Sequence, residues 1–219
     1  MKRSLGLKAY QKIILQFALA LFVSYYQYSA SPSATQIMIP FTDYIINLGP
    51  LYVPIMMFVI IGTVNAVNLT DGLDGLASGI TLIVSIFFML LAISVGNSDV
   101  AILAAATGGA CLGFLGFNSY PAKVFMGDTG SMALGGAVVS FAVLTNSVLL
   151  IPIVGGIYFA EAISVIIQVT SFRLTGKRVF KMAPIHHHFE QCGWPETRVV
   201  FVFWITTVVL AWIGIIAVF

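Results

Sequence analysis

Long apolar blocks alternate with a few short polar breaks along this chain, and the blocks are long enough to cross a bilayer. Residues 10–28 form the first. Residues 51–64, 80–95 and 100–117 form the next three, with residues 73–77 extending the third at its start. Residues 132–170 would measure roughly 58 Å as one helix, nearly twice a hydrocarbon core, so this block must fold back on itself. Asn146-Ser147 together with Pro152 marks the tip between a fifth and a sixth span, and residues 199–219 form the seventh. Gly96-Asn97-Ser98-Asp99 reads as a turn, and residues 36–41, inside the polar connection 29–50, suit a short strand. The predicted fold is an all-α integral membrane protein of about seven transmembrane helices, one domain covering residues 1–219. No internal repeat or low-complexity tract breaks the pattern.

Composition agrees. Apolar residues make up 59% of the chain and charged residues 8%, with a mean hydropathy of +1.02, against roughly 45–50% and 25% in soluble domains. The lipid bilayer is the first partner expected, and no nucleic acid is. The net charge of +2 says little, but its placement says a great deal. Lys2, Arg3, Lys8, Lys12, Lys123, Arg173, Lys177, Arg178, Lys181 and Arg198 all fall on one side of the alternating spans. Cytoplasmic loops carry the excess of Lys and Arg. The N-terminus is therefore expected in the cytoplasm and, seven being odd, the C-terminus outside. A basic start before an apolar run also describes a signal peptide. The run ends in Tyr25, Tyr26 and Tyr28, however, which suit an interfacial belt better than a cleavage site. Cys111 and Cys192 read as unpaired thiols.

The chemistry is concentrated in three polar islands on the basic side. The first is Asn65-Ala-Val-Asn-Leu-Thr-Asp-Gly-Leu-Asp-Gly-Leu-Ala77. Asn65, Asn68, Asp71 and Asp74 recur every third residue, and a helix would place all four near one face. Thr70 or Asp71 as a helix cap beside a polar loop is the plainer alternative. The second island, residues 118–131, holds Asp128 between two glycines where a span begins, a good place for a carboxylate that must reach a metal. Backbone N–H groups of a helix opening there can also meet an anion. Lys123 reads as a phosphate contact or as a membrane-flanking charge. The third island contains His186-His187-His188. Consecutive helical side chains diverge by about 100°, so three in a row are poorly arranged around one metal ion, and imidazoles contacting phosphates fit better. Within the sixth span, Glu161 reads either as a functional carboxylate or as a packing group far from the islands. Gln168, two turns on, is close enough to the basic side to join a site. Hard oxygen ligands favour Mg²⁺, which keeps waters and bridges substrate phosphates, and phosphoryl transfer needs mainly positioning and charge neutralisation. The rival class is an ion-coupled transporter, whose polar groups belong near mid-membrane; only Glu161 lies there.

Residues 65–77, Phe125-Met-Gly-Asp-Thr-Gly-Ser-Met-Ala-Leu-Gly-Gly136 and Ala183-Pro-Ile-His-His-His-Phe-Glu190 resemble the bacterial phospho-N-acetylmuramoyl-pentapeptide transferase (MraY) family. The resemblance runs through the whole chain. The wider superfamily of polyprenyl-phosphate sugar-1-phosphate transferases shares the aspartate motifs, and the triple histidine favours the muramoyl branch. It implies a Mg²⁺-dependent reaction at the bacterial cytoplasmic membrane. UDP-N-acetylmuramoyl-pentapeptide and undecaprenyl phosphate would give lipid I and UMP, the first membrane step of peptidoglycan synthesis. Another polyprenyl-phosphate N-acetylhexosamine-1-phosphate transferase is the alternative, and a homodimer is among the assemblies allowed. Carried over by position, Asp128 is the metal ligand, and Asp71, Asp128 and His187 are the catalytic groups. Asn68, Gly72, Leu73, Asp74, Asn118, Phe125, Gln168, His186 and His188 are the substrate contacts, with Phe125 able to stack on uracil. The family normally has ten spans and an adjacent aspartate pair at the end of the third; this sequence has no adjacent aspartates. The resemblance therefore implies spans four to ten of the family fold, and this chain alone is expected to be inactive.

Overall fold

The computed structural model describes residues 8–30, 35–42 and 44–218. Lys2, Arg3 and Phe219, and part of the predicted 29–50 connection, lie outside the described residues. The element order is α1 (Ala9–Ala30), β1 (Gln36–Met38), β2 (Ile45–Asn47), α2 (Tyr52–Thr70), α3 (Leu76–Ser94), α4 (Ser98–Asn118), α5 (Gly127–Leu144), α6 (Ile151–Val154), α7 (Gly156–Thr175), α8 (Ile185–Gln191) and α9 (Glu196–Ile216). Among the described residues, seven helices are long and apolar enough to cross a membrane: α1, α2, α3, α4, α5, α7 and α9. The chain is a multi-pass helical membrane protein. The expected strand exists and pairs with a second one that the sequence did not suggest, antiparallel, with Ile37 opposite Ile46.

The core is organised around α3. Leu76, Ile80, Val84, Phe88 and Leu91 recur at helical spacing and are buried, and this helix packs against α4, α5 and α9. Phe88 meets Phe87 edge-on at 5.2 Å between ring centroids and Phe141 of α5 at 6.0 Å. Small residues let the helices approach. A Cβ at Gly79 would lie 2.1 Å from the Trp204 indole of α9, and one at Gly135 would lie 2.7 Å from the Val64 backbone. Among the glycines of α4, Gly108 is the one that meets a neighbouring helix, at Ser85 and Leu82 of α3. Gly109, Gly113 and Gly116 meet nothing within 4 Å, because they point away from the bundle.

Three expectations need correction. First, α2 stops at Thr70 and Asp71 leaves the helical region at φ −79°, ψ 51°. Asp74 therefore does not share a helical face with Asn65 and Asn68. Gly75, at φ +79°, redirects the chain into α3; its left-handed backbone is open to glycine at little cost. Second, the tip after α5 is Asn146, at φ +54°, while Pro152 sits in the first turn of α6, where its missing N–H costs nothing. Third, residues 171–198 are not one polar loop: α7 continues to Thr175, and the histidine run is itself helical as α8.

Candidate active site

The end of the bundle that gathers α2, α4 and α5 holds a cavity of about 310 Å³. Asn68, Asp71, Gly72, Leu73 and Asp74 line it from the α2–α3 turn, and Asn118, Phe125, Met126, Gly127 and Asp128 line it from the α4–α5 connection. Two islands 50 residues apart in sequence thus form one wall. Gln168 and the three histidines are not on that wall.

Asp128 occupies the first turn of α5, where free backbone N–H groups and the helix dipole favour a negative charge. Its side chain is 58% exposed. Lys12 of α1 donates to Oδ2, forming an ion pair, and Asn68 donates to Oδ1 at 3.2 Å. The same Asn68 amide donates to Ser131 Oγ at 2.8 Å, tying α2 to α5. Sequence reasoning treated Lys12 only as a topological charge; its link to Asp128 spans 116 residues and leaves no local signal. Asp71 lines the same cavity. Burial, and then the like charge of Asp128, push its carboxyl up to about 6.

The turn between α2 and α3 is cross-linked on every side. The Asp74 N–H donates to Glu196 Oε1 at 2.7 Å, and Asp74 Oδ2 accepts from the Ala122 N–H at 2.8 Å. Asn118 Oδ1 accepts from the Gly75 N–H at 3.1 Å and from Ser78 Oγ at 3.0 Å, while its Nδ2 donates to the Val124 carbonyl at 3.0 Å. Asn118 is accordingly buried. Glu196, first residue of α9, is another group that sequence reasoning missed; an acidic residue in a helix first turn is too common to single out. Phe125 differs from all of these: it is 76% exposed at the cavity rim.

The remaining candidates lie beside the cavity. Gln168 accepts from the N–H groups of Val179 and Phe180 at 3.1 and 2.9 Å and donates to the Phe180 carbonyl at 3.0 Å, pinning the loop after α7. His187 Nδ1 is 2.6 Å from Glu190 Oε2, which leaves Nε2 to a ligand. His188 Nδ1 accepts from the Lys181 N–H at 3.1 Å. His186 is buried and turned inward to Glu161. Glu161, read from sequence as far from the islands, is thus in contact with the third of them, because α8 folds back onto α7.

These observations define a multi-pass helical membrane protein with a carboxylate-lined cavity at one end of its bundle. The chain belongs to glycosyl transferase family 4, whose profile matches residues 4–146. It is similar to the phospho-N-acetylmuramoyl-pentapeptide-transferase of Clostridioides difficile (strain 630), 79% identical over 220 residues that make up 100% of this chain and 68% of the relative. The protein of the same name from Alkaliphilus metalliredigens (strain QYMF) is 58% identical, over 99% of this chain and 69% of its own. That of Clostridium botulinum (strain Eklund 17B / Type B) is 54% identical, over 98% and 65%.

Proposed function

We propose that the cavity holds the UDP-linked sugar of a phospho-N-acetylmuramoyl-pentapeptide transfer to undecaprenyl phosphate, which yields lipid I and UMP. The observation that carries this reading is the convergence of Asn68, Asp71, Asp74, Asn118, Phe125 and Asp128 on one cavity. A single concave site with a few convergent polar groups is where a ligand of this kind belongs. The relatives' names supply the chemistry. Because the basic residues fall, along the sequence, on the same side of the alternating spans as residues 65–77 and 118–131, the positive-inside rule supports a cytoplasmic cavity and a cytoplasmic N-terminus. A nucleotide-sugar from the cytosol and a lipid phosphate from the inner leaflet of the cytoplasmic membrane can both reach it.

Mg²⁺ fits the residues present. Among the described residues no cluster of three or more His, Cys, Asp and Glu side chains could cage a metal, and Mg²⁺ does not ask for one. It is commonly held by one or two carboxylates plus waters and substrate phosphates. Asp128, with Asp71 on the same cavity, supplies that set, and the Lys12 ammonium paired with Asp128 supports a preference for positive charge there. When bound, the ion would neutralise charge on the phosphates.

The chain's own residues then divide the work. Asp128 holds the metal, with Asn68 fixing its carboxylate. Phe125 stacks on uracil, and Asp74, already oriented by the Ala122 N–H, faces the base. Lys12 and His187 offer positive or N–H groups to the phosphates. Asp71 stands beside Asp128, where its carboxylate can take up a proton or a positive charge. Calorimetric titration with UDP-N-acetylmuramoyl-pentapeptide tests the reading in this chain, and transfer of the labelled sugar phosphate to undecaprenyl phosphate is the catalytic readout in a chain that carries all ten spans of the family fold. Binding that strengthens with Mg²⁺ and is displaced by UMP is expected. Binding indifferent to both would overturn it.

A further inference from the structure

Glu161 and His186 take no part in the division of work above, yet they are among the most completely enclosed polar side chains in the molecule. Glu161, carried by α7 within the membrane, is 0% exposed, and His186, in the first turn of α8, is 1% exposed. His186 Nδ1 lies 3.0 Å from Glu161 Oε2, and the His186 backbone N–H reaches the same oxygen at 3.4 Å. The ring nitrogen is off the line of a hydrogen bond, and Glu161 Oε1 and His186 Nε2 have no partner. Such a pair is seldom more stabilising than apolar residues of the same volume. Its use lies in what it holds.

What it holds is the back of the cavity wall. The far edge of the His186 ring lies on Gly72: a Cβ there would meet Nε2 at 2.3 Å and Cε1 at 2.6 Å. Gly72 is on the cavity wall, between Asp71 and Leu73. The ring also leans on that of His187, with centroids 4.1 Å apart. Gly72 is a glycine here because an imidazole occupies the place of its side chain. We propose that Glu161 is a positioning residue of the cavity: it seats His186 on Gly72 and thereby fixes the 71–74 turn that carries Asp71 and Asp74. On this account His186 acts from behind the wall and does not touch the ligand. The proposal rests on the reading of the cavity as the nucleotide-sugar site.

Two independent readouts test it in the full chain. The first is hydrogen exchange of the peptide covering residues 71–75, whose amides at Asp71, Asp74 and Gly75 are bonded to Asn68, Glu196 and Asn118. Glu161→Leu, similar in size but without an acceptor, is expected to lower Tm and to speed exchange in that peptide more than in the peptides of α3 and α9. Glu161→Gln, which keeps an acceptor oxygen, is expected to behave as wild type. The second readout is affinity for UDP-N-acetylmuramoyl-pentapeptide in the presence of Mg²⁺. Gly72→Ala is expected to weaken it by about tenfold, the effect of roughly 1.4 kcal/mol, and adding His186→Ala is expected to restore most of the loss, because the methyl then has the ring's space. A double variant no better than Gly72→Ala would show that the ligand itself needs the glycine, and would overturn the proposal. So would Glu161→Leu exchanging as wild type. If wild type does not bind the nucleotide-sugar, the proposed function fails, and the exchange readout still decides the role of Glu161.

Discussion

Two carboxylate centres flank Gly72, and they are built on opposite terms. Asp128 stands at the cavity with its side chain 58% exposed, held by an ammonium and an amide that a ligand can displace. Glu161 lies behind the wall, fully enclosed, beside one imidazole that nothing from solvent can reach. Exposure makes the first cheap to keep and easy to recruit. Enclosure makes the second costly to disturb. In a chain with only 8 acidic residues, the binding and positioning roles proposed above thus fall to different carboxylates.

The comparison predicts opposite responses to the loss of each carboxylate. In a chain that carries all ten spans of the family fold, Asp128→Asn should lower Mg²⁺-dependent transfer by a few orders of magnitude, on the scale of about 10²–10⁴ typical for a catalytic group, with little change in Tm. A variant that keeps near-normal turnover at limiting Mg²⁺ would remove Asp128 from the metal site. Glu161→Ala should do the reverse and show first in stability. Breaking a buried pair by deleting one partner costs about 3–5 kcal/mol, so Tm should fall clearly, and an unchanged melting curve would mean that the pair does not hold α8 on α7. A smaller effect belongs to the rim: Phe125→Ala should raise KM for the nucleotide-sugar about tenfold, since stacking on a base is worth roughly 1–3 kcal/mol. An unaltered KM would put the base elsewhere.

The smallest effect is in the titration of Asp71. Its carboxyl is raised to about 6, chiefly by burial and then by Asp128. A raised acid contributes stability while protonated, fully below the ordinary value of about 3.9, and this contribution is lost as pH rises through 6. The ionised form is therefore disfavoured near neutral pH relative to a free carboxylate, and removing the neighbouring charge should ease it. In Mg²⁺-free protein the carboxyl carbon of Asp71 should titrate near 6. In Asp128→Asn the midpoint should move down while staying above the ordinary range, because burial remains. An upward move would reverse the assigned sign.

Much of this architecture was legible in the sequence, for identifiable reasons. A span announces itself by a block of about 20 apolar residues, so the seven helices fall where the blocks do. The Asn146 tip was legible as well, because 39 residues cannot cross a bilayer only once. Residues 65–74 and 118–128 stood out because polar groups beside a span are rare. Their union in one cavity is a tertiary fact that no spacing records. The same holds for Lys12 on Asp128 and for Glu161 on His186, partners 116 and 25 residues apart. The helical reading of Asp74 failed for a local reason: Gly72 and Gly75 permit a turn that a three-residue periodicity overlooks.

Asn118 has one more consequence. Its amide joins the start of α3, the end of α4 and the strand of chain leading to α5, and both its oxygen and its nitrogen are spent on the protein. The two halves of the rim therefore cannot drift apart without breaking two of these bonds at once. A ligand entering the cavity meets walls whose conformational entropy was surrendered when the chain folded. Affinity for the nucleotide end should then come with a small entropic penalty, the thermodynamic mark of a preorganised receptor, with the exposed ring of Phe125 left to be ordered by binding.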